Sequence, residues 1–296
     1  MTDPVARAAL VLTLLACTAP LAHAADGEPA WLVAARAREG TLADPQRVVA
    51  GDGAVSFSVP ARVVRPVSFA DGSYELGLDI GSKVPVSCEV LTDTTDLANF
   101  LAATSSVLFD NITANLGGQI QARAVERIDA GAVNGAPYLA LDWALVIRTG
   151  EEARLGIVKQ AVGERDGHVV YCAHDDIGYA TAFRAVFTGI LESLAVAKPP
   201  PAPRYRSVYL LATGGQPLGL QVNTLVPDAD GDLKMTSQAS LLVPVDGGLT
   251  AIEEALVEWS RPDGTLINAA YVLQEGSQTT TRLGLGEADG RWVIEG

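Results

Sequence analysis

Val55, Phe57 and Val59 alternate with Ser56 and Ser58, and the run stops at Pro60. A period of two puts the three apolar side chains on one face, which predicts a half-buried strand. Further strands are predicted over 73–80 and 84–91. The period then changes: Leu97, Phe100, Leu101, Thr104, Leu108 and Ile112 recur at helical spacing. That spacing predicts a helix with one buried stripe. Thr95 or Asp96 can cap its start, and Gly117-Gly118 can stop it. Four strands are predicted over 121–130, 137–148, 153–163 and 168–174, with Asn134-Gly135 and Asp166-Gly167 as hairpin turns. A helix over 179–195 follows, with Phe183, Val186, Phe187, Ile190, Leu191 and Leu194 as its buried stripe. Ahead of these elements, 25–53 reads as a poorly structured lead with a short helix around Trp31 to Arg38.

Lys198-Pro199-Pro200-Pro201-Ala202-Pro203 interrupts the pattern. Such a run cannot continue a helix or sit inside a sheet, and it favours an extended spacer. Beyond it the period is two. Leu218, Leu220 and Val222 alternate with Gly219, Gln221 and Asn223, and Asp-Gly recurs at 230–231, 246–247, 263–264 and 289–290. Asp-Gly favours tight turns, so the repeat predicts a meander of about six or seven antiparallel strands. Leu249, Ile252, Leu256 and Trp259 also fit a helical stripe. Val257 and Trp259 ahead of Pro262-Asp263-Gly264 fit a hairpin arm, and strand is preferred. An open meander needs its apolar face covered: by the first module, by a second copy, or by chain beyond residue 296. The fold class expected is α+β, an antiparallel sheet flanked by helices in an α/β/α sandwich, followed by a mostly antiparallel β-meander. The division expected is 1–24, 25–53, 54–197, a proline-rich linker at 198–204, and 205–296.

The first 24 residues read as an address. An apolar run from Ala8 to Ala16 follows Arg7, and Pro20 precedes the small-x-small pattern Ala22-His23-Ala24. This is the layout of a secretory signal peptide cleaved between Ala24 and Ala25. Leu14-Leu15-Ala16-Cys17 resembles a bacterial lipobox, which offers an alternative: Cys17 becomes the lipidated first residue of an outer-membrane lipoprotein. Otherwise the product is periplasmic or secreted. A spanning helix needs about 18 to 20 apolar residues, and no such run exists, so membrane attachment is expected only through Cys17. The chain carries 35 acidic against 21 basic side chains, a formal net charge of −14. That balance excludes riding on nucleic-acid phosphates and favours a basic partner through charge steering. Hydrophobic residues make up 48%, too many for a disordered chain.

After processing at Ala24, Cys88 and Cys172 remain, and an even count in an exported chain fits one disulfide. Two buried free thiols are the alternative. A third reading joins both cysteines to His174 as zinc ligands. His168 and His174 share a strand face but stand roughly 20 Å apart at about 3.3 Å per residue, too far to hold one metal. His174-Asp175-Asp176 has the composition of a base with an orienting acid. No glycine-x-serine-x-glycine elbow accompanies it, so a turn into the last helix is preferred, with His174 at a solvated strand end. Asp228-Ala229-Asp230-Gly231-Asp232 starts like a calcium loop. Gly231 stands fourth where glycine belongs sixth, and Ala239 replaces the twelfth-position glutamate, so an exposed hairpin is preferred. Asn111-Ile112-Thr113 is read as a chance glycosylation match on a helix, and Gly117-Gly118 and Gly214-Gly215 as turns. No catalytic, cofactor or metal residue is assigned.

Val55-Ser56-Phe57-Ser58-Val59-Pro60, the long helix that follows the early strands, and the closing Phe187-Thr188-Gly189-Ile190-Leu191-Glu192-Ser193-Leu194 together resemble the PsbP-like and DcrB-like domains. The likeness spans residues 54–196. It implies an antiparallel sheet between helices, a scaffold used mostly for protein contacts and not for catalysis. The second module is similar to periplasmic half-barrel domains of the lipoprotein-carrier type. The function expected is an exported, non-catalytic envelope accessory protein that makes protein–protein contacts. Two other readings are kept: a periplasmic inhibitor or immunity protein against an envelope-targeting enzyme, hinted at by Cys17, and a hydrolase with a dispersed site that includes His174.

Overall fold

A computed structural model describes residues 28–296 except 71, 93–95, 229 and 247. The signal segment, Cys17, the Ala24/Ala25 junction and Thr95 lie outside the described residues. The first half of the chain runs α1 (Ala30–Arg36), β1 (Gln46–Ala50), β2 (Val55–Val59), β3 (Arg62–Ala70), β4 (Ser73–Asp79), β5 (Val86–Leu91), α2 (Leu97–Leu116), β6 (Gln119–Val133), β7 (Ala136–Thr149), β8 (Glu152–Arg165), β9 (His168–Asp175), α3 (Ala180–Ser193) and β10 (Ala195–Val196). The second half is all strand: β11 (Tyr205–Thr213), β12 (Gln216–Pro227), β13 (Leu233–Val245), β14 (Gly248–Ser260), β15 (Leu266–Glu275), β16 (Gln278–Ala288) and β17 (Arg291–Glu295).

The central sheet is antiparallel throughout, in the order β3-β4-β5-β9-β8-β7-β6. Alternation along each strand feeds two cores. Leu139, Leu141, Trp143 and Leu145 of β7 face Leu101, Phe109 and Ile112 of α2. Leu76, Leu78, Val90 and Val170 on the opposite face meet Phe183, Val186, Phe187 and Ile190 of α3. Helices therefore cover both faces, as the α+β sandwich expectation requires. Asn134-Gly135 and Asp166-Gly167 both hold positive φ at each position, the geometry a type I′ hairpin demands.

The half-buried strand read at Val55–Val59 is present, and it pairs with β1 and β10 in a separate three-stranded sheet. The expectation of a poorly structured lead is corrected, because the lead supplies strand β1 as well as helix α1. Strand β3 carries little period-two signal because Val63 and Val64 are adjacent and Pro66 interrupts. Its pairing with β4 slips twice, and proline, with no N–H to give a ladder, fits such an edge position.

The seven strands β11 to β17 form a second sheet in strict chain order. The segment with helical spacing is strand β14, paired with β13 and β15. Leu220, Leu242 and Ala251 on this sheet's inner face are buried in the same cluster as Leu101 and Trp143. The first unit therefore covers the meander, and α2 lies between two sheets.

Candidate functional site

Asp142, Lys159 and His174 are register partners across β7, β8 and β9. All three point toward α3. Lys159 is 3% exposed and His174 1%. The Lys159 ammonium donates to the carbonyl oxygen of Asp176. Burial pulls the Lys159 pKa down, against the attraction of Asp142, Asp176, Asp175 and Glu126. Burial pushes Asp142 up, and Lys159 and Arg127 draw it back. Asp175 is likewise raised by burial and by its neighbour Asp176.

His174 is enclosed by Phe183, stacked at 6.3 Å, and Tyr179, edge-on at 6.0 Å. Its Nε2 lies 3.0 Å from Ser82 Oγ and 3.2 Å from the Val84 carbonyl oxygen. Ser82 Oγ gives its own proton to that same carbonyl, at 2.6 Å. Nε2 must therefore be the donor, while Nδ1 is buried without a partner. Burial, and then Lys159, lower the His174 pKa to about 4. An imidazole holding its proton on Nε2 cannot accept one from Ser82, so the contact is no nucleophile–base pair. The expectation of a solvated strand end is corrected: the start of α3 folds over the ring. His168, at the other end of β9, contacts the Asp166 carbonyl oxygen through Nδ1 at 3.2 Å.

Cys88 and Cys172 stand opposite each other on β5 and β9 and form a disulfide, with a Cα separation of 4.1 Å. This overturns the free-thiol and zinc readings, because both sulfurs are spent. Among the described residues no group of three or more His, Cys, Asp or Glu side chains is placed to hold a metal. Asp228 Oδ1 accepts the backbone N–H groups of Asp230 and Asp232 at 2.9 and 3.0 Å. The acidic loop is thus a self-bonded hairpin turn.

A cavity of about 170 Å³ opens where the two sheets meet the start of α2. Glu164 from the end of β8 and Arg206 from the start of β11 face it from opposite sheets, with Leu220, Val222 and Thr236 on its wall. Burial raises the Glu164 carboxyl, and Arg206 opposes that rise. Ser240, also on the wall, donates to Glu253 Oε2 at 2.6 Å. Glu253 Oε1 accepts the backbone N–H groups of Ala98 and Asn99 at 2.7 and 3.2 Å. A side chain from the second sheet thus caps α2. Asp96, the N-cap residue, makes no such bond and instead accepts from Gln238. Burial, helped by Asp96, pushes the Glu253 pKa up to about 7 against its three hydrogen bonds.

Beyond the helix the second sheet is open. Leu256, Tyr271 and Leu283 form one row on its outer face, and Leu285 and Ile294 lie in the next. Leu283 is 42% exposed, Trp292 49% and Ile294 72%. Val257 and Val272, on the inner face, are half-buried.

No protein-family model matches the chain, and no curated protein matches it. It is similar in structure to cyanobacterial PsbP (CyanoP) from Synechocystis sp. PCC 6803, with 14% identity and a TM-score of 0.32. The match covers 52% of this chain and 94% of that one. The likeness is weak, at the level of fold, and it assigns no residue.

Sequence reasoning singled out His168, His174, Cys88 and Cys172, and the structure joins only the two cysteines. It missed Lys159, Glu164, Arg206 and Glu253. A readable signal existed for two of them. Lys159 stands between Val158 and Gln160 in a buried run, and Glu253 follows Ala251-Ile252 within a strand. A charge inside such a run must find partners if the strand is buried.

Proposed function

We propose that this is an exported, non-catalytic binding protein of the cell envelope that engages a basic protein through the far half of its second sheet. The observation that carries the reading is the end of the second sheet's outer face, where Leu283 of β16 and Trp292 and Ile294 of β17 are exposed beside the sheet edge at β17, with Leu256, Tyr271 and Leu285 half-buried next to them. Contiguous exposed apolar surface rimmed by polar groups is a feature of interaction sites. The charge of the partner follows from the surroundings: residues 254–295 carry seven carboxylates against three arginines. Such a field speeds the approach of a basic surface and weakens with salt. His174, the one residue named for the hydrolase reading, is buried under α3, which favours the binding reading.

Photo-crosslinking residues placed at Leu283 and Ile294 in the full chain, expressed in its own cells, test this. The expected result is one shared protein adduct with a basic surface, absent when the label is moved to the exposed turn residue Glu151. Equal labelling from Glu151, or adducts only with lipid or with a second copy, would overturn it.

A further inference from the structure

We propose that the cavity at the seam of the two sheets binds a small zwitterion, an α-amino acid with a short side chain, its ammonium toward Glu164 and its carboxylate toward Arg206. Glu164 and Arg206 line one cavity from two different sheets. Arg206 acts on Glu164 through space, with no hydrogen bond or ion pair joining them. Two opposite charges that line one cavity without pairing select a ligand that carries both charges. A simple amine would meet repulsion from Arg206, and a simple carboxylate repulsion from Glu164. A guanidinium suits a carboxylate because its forked donors match two oxygens.

Size narrows the class. The cavity measures about 170 Å³. Drug-sized ligands occupy roughly 300–1,000 Å³, while a cavity of about 150 Å³ holds benzene. A ligand of roughly six to eight non-hydrogen atoms is the scale this implies, which suits alanine, serine or valine and excludes tryptophan. Leu97, Leu220 and Val222 offer a dry wall to a short side chain, and Thr224 and Thr236 add hydroxyls. Gln238 spends its amide N–H on Asp96, leaving its carbonyl oxygen to accept from an ammonium. The site is independent of the outer-face surface, so either can fail alone.

Isothermal titration of the processed chain with glycine, alanine, serine, valine and tryptophan, alongside propylamine and propionate, tests the proposal. The expected result is saturable binding of one or more of the short amino acids, with none for tryptophan, propylamine or propionate. Glu164→Gln and Arg206→Gln should each weaken that binding at least roughly tenfold, equivalent to about 1.4 kcal/mol. Circular dichroism of each variant checks that it folds. If one does not, line broadening of ¹³C-labelled alanine by the unaltered chain, relieved by excess unlabelled alanine and untouched by propylamine, replaces it. Absence of binding at millimolar concentration, equal binding of propylamine or propionate, or unchanged binding in both folded variants would overturn the proposal.

Discussion

A histidine 1% exposed between two aromatic rings carries a thermodynamic signature. The folded chain holds His174 at about 4, below the 6.5 of the free side chain. Between those values the unfolded chain binds more protons than the folded one. The stability involved is therefore complete above 6.5 and is lost as pH falls toward 4. The ring protons of His174 should titrate in NMR with a midpoint near 4, and a midpoint near 6.5 would mean that the ring is open to water. His174→Gln should remove this contribution, so its melting temperature should drop less, relative to the unaltered chain, on going from pH 6.5 to 4. At the neighbouring pair, the disulfide closes a sequence separation of 84 residues. Replacing Cys88 and Cys172 together by alanine should lower unfolding stability by about 2–4 kcal/mol in urea titration. Cys172 and His174 were legible as a face-sharing pair from strand alternation alone. Their surroundings were not, because the covering residues Tyr179 and Phe183 belong to another element.

Helix α2 shows how far a cap can come from. Its first turn contains no acid of its own, and the carboxylate on its N-terminal N–H groups belongs to Glu253, 155 residues beyond Ala98. An anion there satisfies orphan donors and the positive end of the helix dipole. Burial nevertheless raises Glu253 from 4.5 to about 7. The folded chain therefore binds more protons than the unfolded one between these values, and stability falls as pH rises through the window. Glu253→Gln keeps a carbonyl for the helix and an amide N–H for Ser240. Because His174 acts in the opposite direction over nearly the same window, the melting temperature of Glu253→Gln should climb more steeply with pH between 4.5 and 7 than that of the unaltered chain, whereas an unchanged slope would place the titration elsewhere. The start and stop of α2 could be read from Asp96 and from Gly117, whose φ is +59°. The capping atom could not, since N-cap rules look only at neighbours in sequence. The same limit explains β14: its spacing fits helix and strand alike, and only pairing with β13 and β15 selects the strand.

The whole chain folds around a helix shared by two sheets. Leu242 of the second sheet is fully buried in the cluster that holds Trp143 of the first. Leu242→Ala should cost about 2–5 kcal/mol, and calorimetry should show one cooperative transition shifted as a unit. Two separated transitions would show that the proline segment divides independent folding units. The periods of two and 3.6, the Asp-Gly and Asn-Gly turns, the acidic balance and the pairing of two cysteines could all be read from the chain, because each is a property of near neighbours or of composition. Which sheet receives Val55–Val59, what covers the meander, where His174 ends up and how Glu164 comes to face Arg206 were decided by tertiary packing. Those outcomes depend on contacts between residues far apart in the chain, and a local pattern carries no record of which distant surface will complete it.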